Sequence, residues 1–282
     1  MRRTLGLLVP VVLLVAPSLF AADPSRQELL KTPKFSEAKP AKFQAFTPEA
    51  LRDAIKVFSR RNYAWSGFND SAVTVRLPAV TNSIYATVDF DPPVLKDKSG
   101  KNVPFELEQG IFDFDTSSTE VRVQNKGGKG PVDFAHVAGK LKVKYPLVVK
   151  TTSVKPGGSK DVKIDGPYVS YNSTAIKLPE AQTFSTIKPL RAYDASGKEL
   201  ERASDGSSSL AGDVSWRQIP FYGQVAEVRM DQVDKWGEVA VTYDLPPVPK
   251  LPADQSGSIP PLEERLKVSE TPGGKVTKTI KP

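Results

Sequence analysis

The nine-residue stretch Gly139-Lys-Leu-Lys-Val-Lys-Tyr-Pro-Leu147 returns later as Gly237-Glu-Val-Ala-Val-Thr-Tyr-Asp-Leu245. Glycine, two aliphatic residues, tyrosine and leucine recur at the same places. Successive side chains of a strand point to opposite faces. Leu141, Val143, Tyr145 and Leu147 therefore share one face, and Val239, Val241, Tyr243 and Leu245 share its counterpart. The other face does not repeat: it carries Lys140, Lys142 and Lys144 in the first copy, and Glu238, Ala240, Thr242 and Asp244 in the second. The shared face is architecture, and any specialisation lies in the face that differs.

Two further anchors recur in the same order. Val75-Arg-Leu77 ends at Pro78, as Ile176-Lys-Leu178 ends at Pro179. Asp97-Lys-Ser-Gly-Lys101 returns as Asp194-Ala-Ser-Gly-Lys198. The intervals between matched residues are 101, 97 and 98. A period near 100 residues suits a duplicated sandwich module. With 25 prolines and 19 glycines, turns are frequent and elements short, which favours strands. The expected fold is mainly β: two tandem immunoglobulin-like β-sandwich modules, residues 63–150 and 160–248, joined by a polar connection. "Immunoglobulin-like" names an architecture and carries no function.

Before the first module, Arg2, Arg3, the apolar run Leu5 to Val15 and Ala21-Ala22 read as a signal peptide over residues 1–22. Residues 23–46 read as a poorly ordered spacer. Thr47-Pro48-Glu49 then opens an amphipathic helix expected to reach Arg60. Beyond Leu245, residues 249–282 read as a flexible Pro/Lys-rich tail, disordered for the most part. No later apolar run is long enough to span a bilayer. The chain is thus expected in the periplasm or outside the cell.

The formal charge is +7, and loss of Arg2 and Arg3 with the signal lowers it to +5. That mild excess suits an anionic partner. Zero cysteines exclude disulfides, thiolate chemistry, cysteine metal sites and a lipid on an N-terminal cysteine. No nucleophile elbow, phosphate loop or sequence-specific nucleic-acid motif is present, and the one histidine, His136, leaves a Ser-His-acid site little to work with. Ser185-Thr-Ile-Lys188 matches a Ser-x-x-Lys spacing without the accompanying motifs of that enzyme class, and reads as chance.

Three constellations stand out. Lys140, Lys142 and Lys144 could meet an anionic polymer, or could guard an edge strand against aggregation. Trp216, Phe221, Tyr222 and Trp236 could form a contact surface for a protein or sugar, with Trp216 to Gly223 the most loop-like stretch. Asp89, Asp91, Asp113 and Asp115 form two Asp-Phe-Asp triplets that could gather around Ca²⁺, or act as glycosidase carboxylates. No other cofactor is implied. The expected function is that of an exported, non-enzymatic binding or structural protein contacting a protein or envelope polymer. The alternative is a carbohydrate-active or Ca²⁺-dependent protein.

Overall fold

The computed structural model describes residues 24–65, 68–109, 117–124, 134–181, 185–246 and 274–281. The signal peptide expected over residues 1–22 lies outside them. The chain is mainly β, and all its sheets are antiparallel. In chain order the strands of the first half are β1 (Lys56–Trp65), β2 (Phe68–Arg76), β3 (Thr87–Phe90), β4 (Val94–Lys96), β5 (Glu106–Gln109), β6 (Ser118–Gln124) and β7 (His136–Val154). The second half supplies β8 (Val162–Asp165), β9 (Tyr168–Asn172), β10 (Leu190–Tyr193), β11 (Glu199–Leu200), β12 (Ser207–Ala211), β13 (Val214–Pro220) and β14 (Glu227–Leu245), and β15 (Lys275–Lys281) follows.

The two halves repeat one plan. Each begins with an antiparallel pair, sends two strands to a central sheet, returns with a second pair, and closes on a strand of 19 residues. The outer sheets have matching orders, β1-β2-β6-β5 and β8-β9-β13-β12. The repeated turns also match atom for atom. Asp97 Oδ1 accepts hydrogen bonds from the amides of Ser99 and Lys101, and Asp194 Oδ1 accepts them from those of Ser196 and Lys198. Gly100 and Gly197 take the positive φ such turns need, 82° and 79°.

The two 19-residue strands pair with each other along their length, from Val137↔Leu245 to Val154↔Val228. The central sheet therefore runs through both halves in the order β11-β10-β14-β7-β3, with β4 also on β7 and β15 also on β14. The connection expected at residues 150–160 begins inside β7. Lysines at 140, 142 and 144 guard no edge, because β7 is hydrogen-bonded to β14 on one side and to β3 and β4 on the other.

The repeated stretches are thus cross-strand neighbours. Tyr145 faces Gly237 and Tyr243 faces Gly139, so a local two-fold relates the copies about the Lys142–Ala240 pair. The glycines make room for the partner strand's packing. A β-carbon at Gly139 would come within 2.5 Å of the Tyr243 hydroxyl, and one at Gly237 within 2.9 Å of Leu147. Tyr243 and Leu147 are both almost wholly buried.

Each outer sheet covers one end of the central sheet. Val73, Val75, Val121 and Val123 meet Leu141, Val143, Val239 and Val241 in the first core. Val169 and Ile219 meet Leu190, Ala192, Val228 and Met230 in the second. β14 therefore contributes to both cores. At their junction Asp231, fully buried, accepts two hydrogen bonds from Arg191 (2.6 and 2.8 Å), one from Tyr85 (2.7 Å) and one from Thr151 (2.8 Å). Burial opposes the charge on Arg191, and the Asp231 carboxylate more than offsets it. Tyr85 belongs to the 3₁₀ turn Thr81–Tyr85 of the first half, so the cluster ties the halves together.

Three local expectations are corrected. The helix that opens at Thr47 covers only Pro48–Ala54, and Lys56 onward is β1. Leu51 and Ile55 do bury, but Val57 to Arg60 pair with β2, and that pairing overrides a weak helical preference. The spacer at 24–46 is docked. It begins with a capped helix, Arg26–Lys31, places Leu29 in full burial, and stacks Phe43 on Tyr85. Its amides are used: Lys34 N donates to Tyr222 O, and Phe46 N to Leu147 O. Of the tail, residues 247–273 lie outside the described residues, but 275–281 form β15 on β14. There Lys278 Nζ donates to the carbonyls of Arg52 and Ile55 that end the helix (2.9 and 2.7 Å).

Gly139→Ala is expected to cost about 1–3 kcal/mol in chemical denaturation, from overpacking against Tyr243. Asp231→Asn is expected to cost about 3–5 kcal/mol, because Arg191 keeps its charge in a buried site without its partner. A third expectation concerns alkaline pH. Burial pushes the Tyr145 phenol up to about 12, against a weaker opposing pull from its Ser83 hydrogen bond, and burial also raises Tyr85 and Tyr243. In the unfolded chain these phenols lose their protons near pH ~10, and in the folded chain they keep them. Stability should hold below about pH 10 and fall as pH rises toward 12. Ultraviolet titration should find these phenolates appearing together with unfolding.

Candidate binding surface

The outer face of the central sheet gathers side chains from four strands, because residues directly opposite across a ladder share a face. Lys140, Lys142 and Lys144 are all exposed on β7. Asp89 lies opposite Lys142 and Thr87 opposite Lys144, from β3. Across β14 the partners are Thr242, Ala240 and Glu238. Beyond them β15 adds Lys275, Thr277, Thr279 and Lys281. Five lysines thus share the face with Asp89, Glu238 and Asp244.

Trp236 extends this row. It sits where the β7–β14 register is irregular, is 39% exposed, and has Lys144 Nζ at 4.8 Å from its ring centroid. Two constellations that were separate in the sequence, the lysine row and one tryptophan, are therefore joined. A cation over an indole face is attractive, and both groups still offer surface to a partner. The lysine ammoniums form no ion pair among the described residues, although Asp89 and Glu238 lie on neighbouring strands. At the near end of the row, His136 Nδ1 lies 3.2 Å from Asp244 Oδ1, with both side chains exposed.

The other aromatic residues do not join this face. Trp216 to Pro220, expected as a loop, belong to β13, paired with Tyr168 to Asn172 of β9. Trp216 is half-buried with Lys163 Nζ 4.6 Å from its ring. Phe221 is 1% exposed and lies in the second core, which removes it from any contact surface. Tyr222 is covered by Lys34 of the N-terminal segment, 3.9 Å from its ring. Four aromatics close in sequence thus divide between two sheets, a core and a bend beneath the N-terminal segment.

Asp89 and Asp91 are both exposed, and Asp91 follows the end of β3. Asp113 and Asp115 lie outside the described residues. Among the described residues, no group of three or more His, Asp or Glu side chains is placed to hold a metal ion. Ser185 is buried, its hydroxyl donating to Ile187 O and accepting from Ile187 N, which is the chemistry of a turn.

The sequence reading missed Lys275, Thr277, Thr279 and Lys281 as part of the face. The signal was there: Lys-Val-Thr-Lys-Thr-Ile-Lys alternates strictly over its first three and last three residues. No family model and no curated protein sequence matches this chain.

Proposed function

We propose that this is an exported, non-enzymatic binding protein of the cell envelope or secreted space, and that its partner is an anionic envelope polymer held on the outer face of the central sheet. The two halves are read as tandem modules of immunoglobulin-like size, a reading supported by their matching strand orders. The observation that carries the functional reading is the placement of Lys140, Lys142 and Lys144 in the interior of the sheet. Edge protection would explain a lysine row on a border strand, but this row has neighbours on both sides.

A row of ammoniums on one face repeats at about 7 Å, since alternate residues of a strand are two rises apart. That spacing lets one extended polyanion meet several lysines in succession. Thr242, Thr277 and Thr279 add neutral hydroxyls, and Trp236 offers a flat apolar surface at the end of the row. Such contacts are long-ranged, adaptable to sequence, and weakened by salt.

The test is binding of the mature chain to dextran sulfate over a range of salt concentrations. Affinity should fall steeply as salt rises. A variant with Lys140, Lys142 and Lys144 all changed to Gln should bind at least about tenfold more weakly, with a shallower salt dependence and an unchanged melting temperature. Salt-independent binding, or full affinity in the triple variant, sinks the polyanion reading. Turnover of glycan, ester or peptide substrates by the purified chain would overturn the non-enzymatic one.

A further inference from the structure

A separate feature of the second half concentrates positive charge in a concave site. A cavity of about 410 Å³ is lined by Lys177, Lys188, Arg202 and Arg217 against the one acid Glu180, with Tyr171 and Ile219 of the outer sheet among its apolar walls. The size lies in the range of small-molecule sites. The loop Ser173 to Ala181 forms one wall, and Lys188-Pro189 another. A smaller cavity of about 170 Å³ shares Lys188 and Arg202 with it, so these two side chains stand between the two spaces.

Arg202 is the informative residue. Its guanidinium is half-buried, donates to Leu190 O at 2.6 Å, and lies 6.0 Å from the Phe221 ring. No carboxylate pairs with it within 4 Å among the described residues, and the same holds for Lys177, Lys188 and Arg217. Asp205 and Glu199 act on Arg202 only through space, while Arg217 repels it. Burial, the largest influence, lowers its proton affinity. The neighbouring Arg191 shows the contrast. The fold meets that guanidinium with the two oxygens of Asp231 and seals both away. For Arg202 and Arg217 the fold supplies no such partner, and it directs both at an open cavity.

Two like charges facing one partly desolvated space are costly unless an anion joins them. Guanidiniums are planar forks that match carboxylate and phosphate oxygens two at a time, so the ligand's charge must be compact and oxygen-bearing. We propose that this cleft binds a small dianion, a phosphate monoester or a dicarboxylate, between Arg202 and Arg217, with Lys188 as a third cation. Lys177 is already committed in part, since its ammonium donates to Ser173 O at 2.9 Å. The apolar wall of Tyr171, Ile176, Leu178 and Ile219 suits the carbon body of such a ligand. This site is independent of the lysine face on the central sheet.

The experiment is isothermal titration of the intact chain with glucose 1-phosphate and with glutarate, with sodium chloride at matched ionic strength as the control. Saturable one-to-one binding of at least one probe, absent with chloride, is expected. Binding of the phosphate probe alone assigns a phosphate site, and binding of both assigns a site for dianions in general. Arg217→Gln should weaken it about tenfold or more, with the ligand-free melting temperature unchanged because Arg217 is exposed. Arg202→Lys keeps the charge but loses the fork, and should weaken binding as well. The triple Lys-to-Gln variant of the sheet face should bind both probes like the parent. No saturable binding of either probe overturns the proposal, as does affinity that survives Arg217→Gln or is lost in the sheet-face variant.

Discussion

The pairing of β7 with β14 is the interaction on which the rest of this molecule depends. Each strand alone would be a 19-residue border with one row of unpaired amides and carbonyls, a hazard for association with other chains. Pairing them hides both borders and turns two halves into one sheet about 60 Å long, at roughly 3.3 Å per residue. The contact is self-complementary in the manner of a two-fold dimer interface. Glycine in each copy lies opposite tyrosine in the other, and the space it leaves is filled by Tyr243 at Gly139 and by Leu147 at Gly237. A chain that repeats one strand pattern can make in one molecule the interface that two separate copies would make across an axis.

That shared sheet explains why the ends of the molecule are built as they are. The first core draws on residues of both long strands, so the first half could not close its hydrophobic interior without the second. At the junction both carboxylate oxygens of Asp231, on β14, are satisfied by four donors: two from Arg191 of β10, one from Thr151 of β7 and one from the Tyr85 turn. A buried ion pair adds little stability of its own, but its geometry admits few alternatives. The N-terminal segment then crosses the same seam, hydrogen-bonding near Tyr222 in the second half and near Leu147 on β7.

Much of the strand content was legible because its signal is local. The alternation in Leu141 to Leu147 and in Val239 to Leu245 named the buried face correctly, and all eight of those odd-numbered residues are buried. The Asp-x-Ser-Gly-Lys turns could be read from composition and form as such turns should. The helix at Pro48 was right at its start, where Thr47 caps it, and wrong at its end. Its stop has no local mark: Lys56 leaves the helix because β2 lies beside it. The site was less legible than the fold. The lysine row could be seen, but its joining to Trp236 and to β15 depends on which strands are neighbours. Arg202 and Arg217 belong to no motif, and only the packing of a loop over β9 and β13 turns them toward one cavity.

The sequence by itself determined that this chain would be mainly β and free of disulfides. It also determined which face of the repeated strand would be buried, because a period of two residues and the need to remove apolar groups from water leave no other choice. The tertiary structure alone decided that the two repeats would pair with each other instead of closing separate units. Cross-strand pairing joins residues about a hundred positions apart, and the alternation within a strand carries no address for its partner. What suits the two strands to each other is the seating of Tyr243 against Gly139 and of Leu147 against Gly237, and that fit exists only once the strands lie side by side.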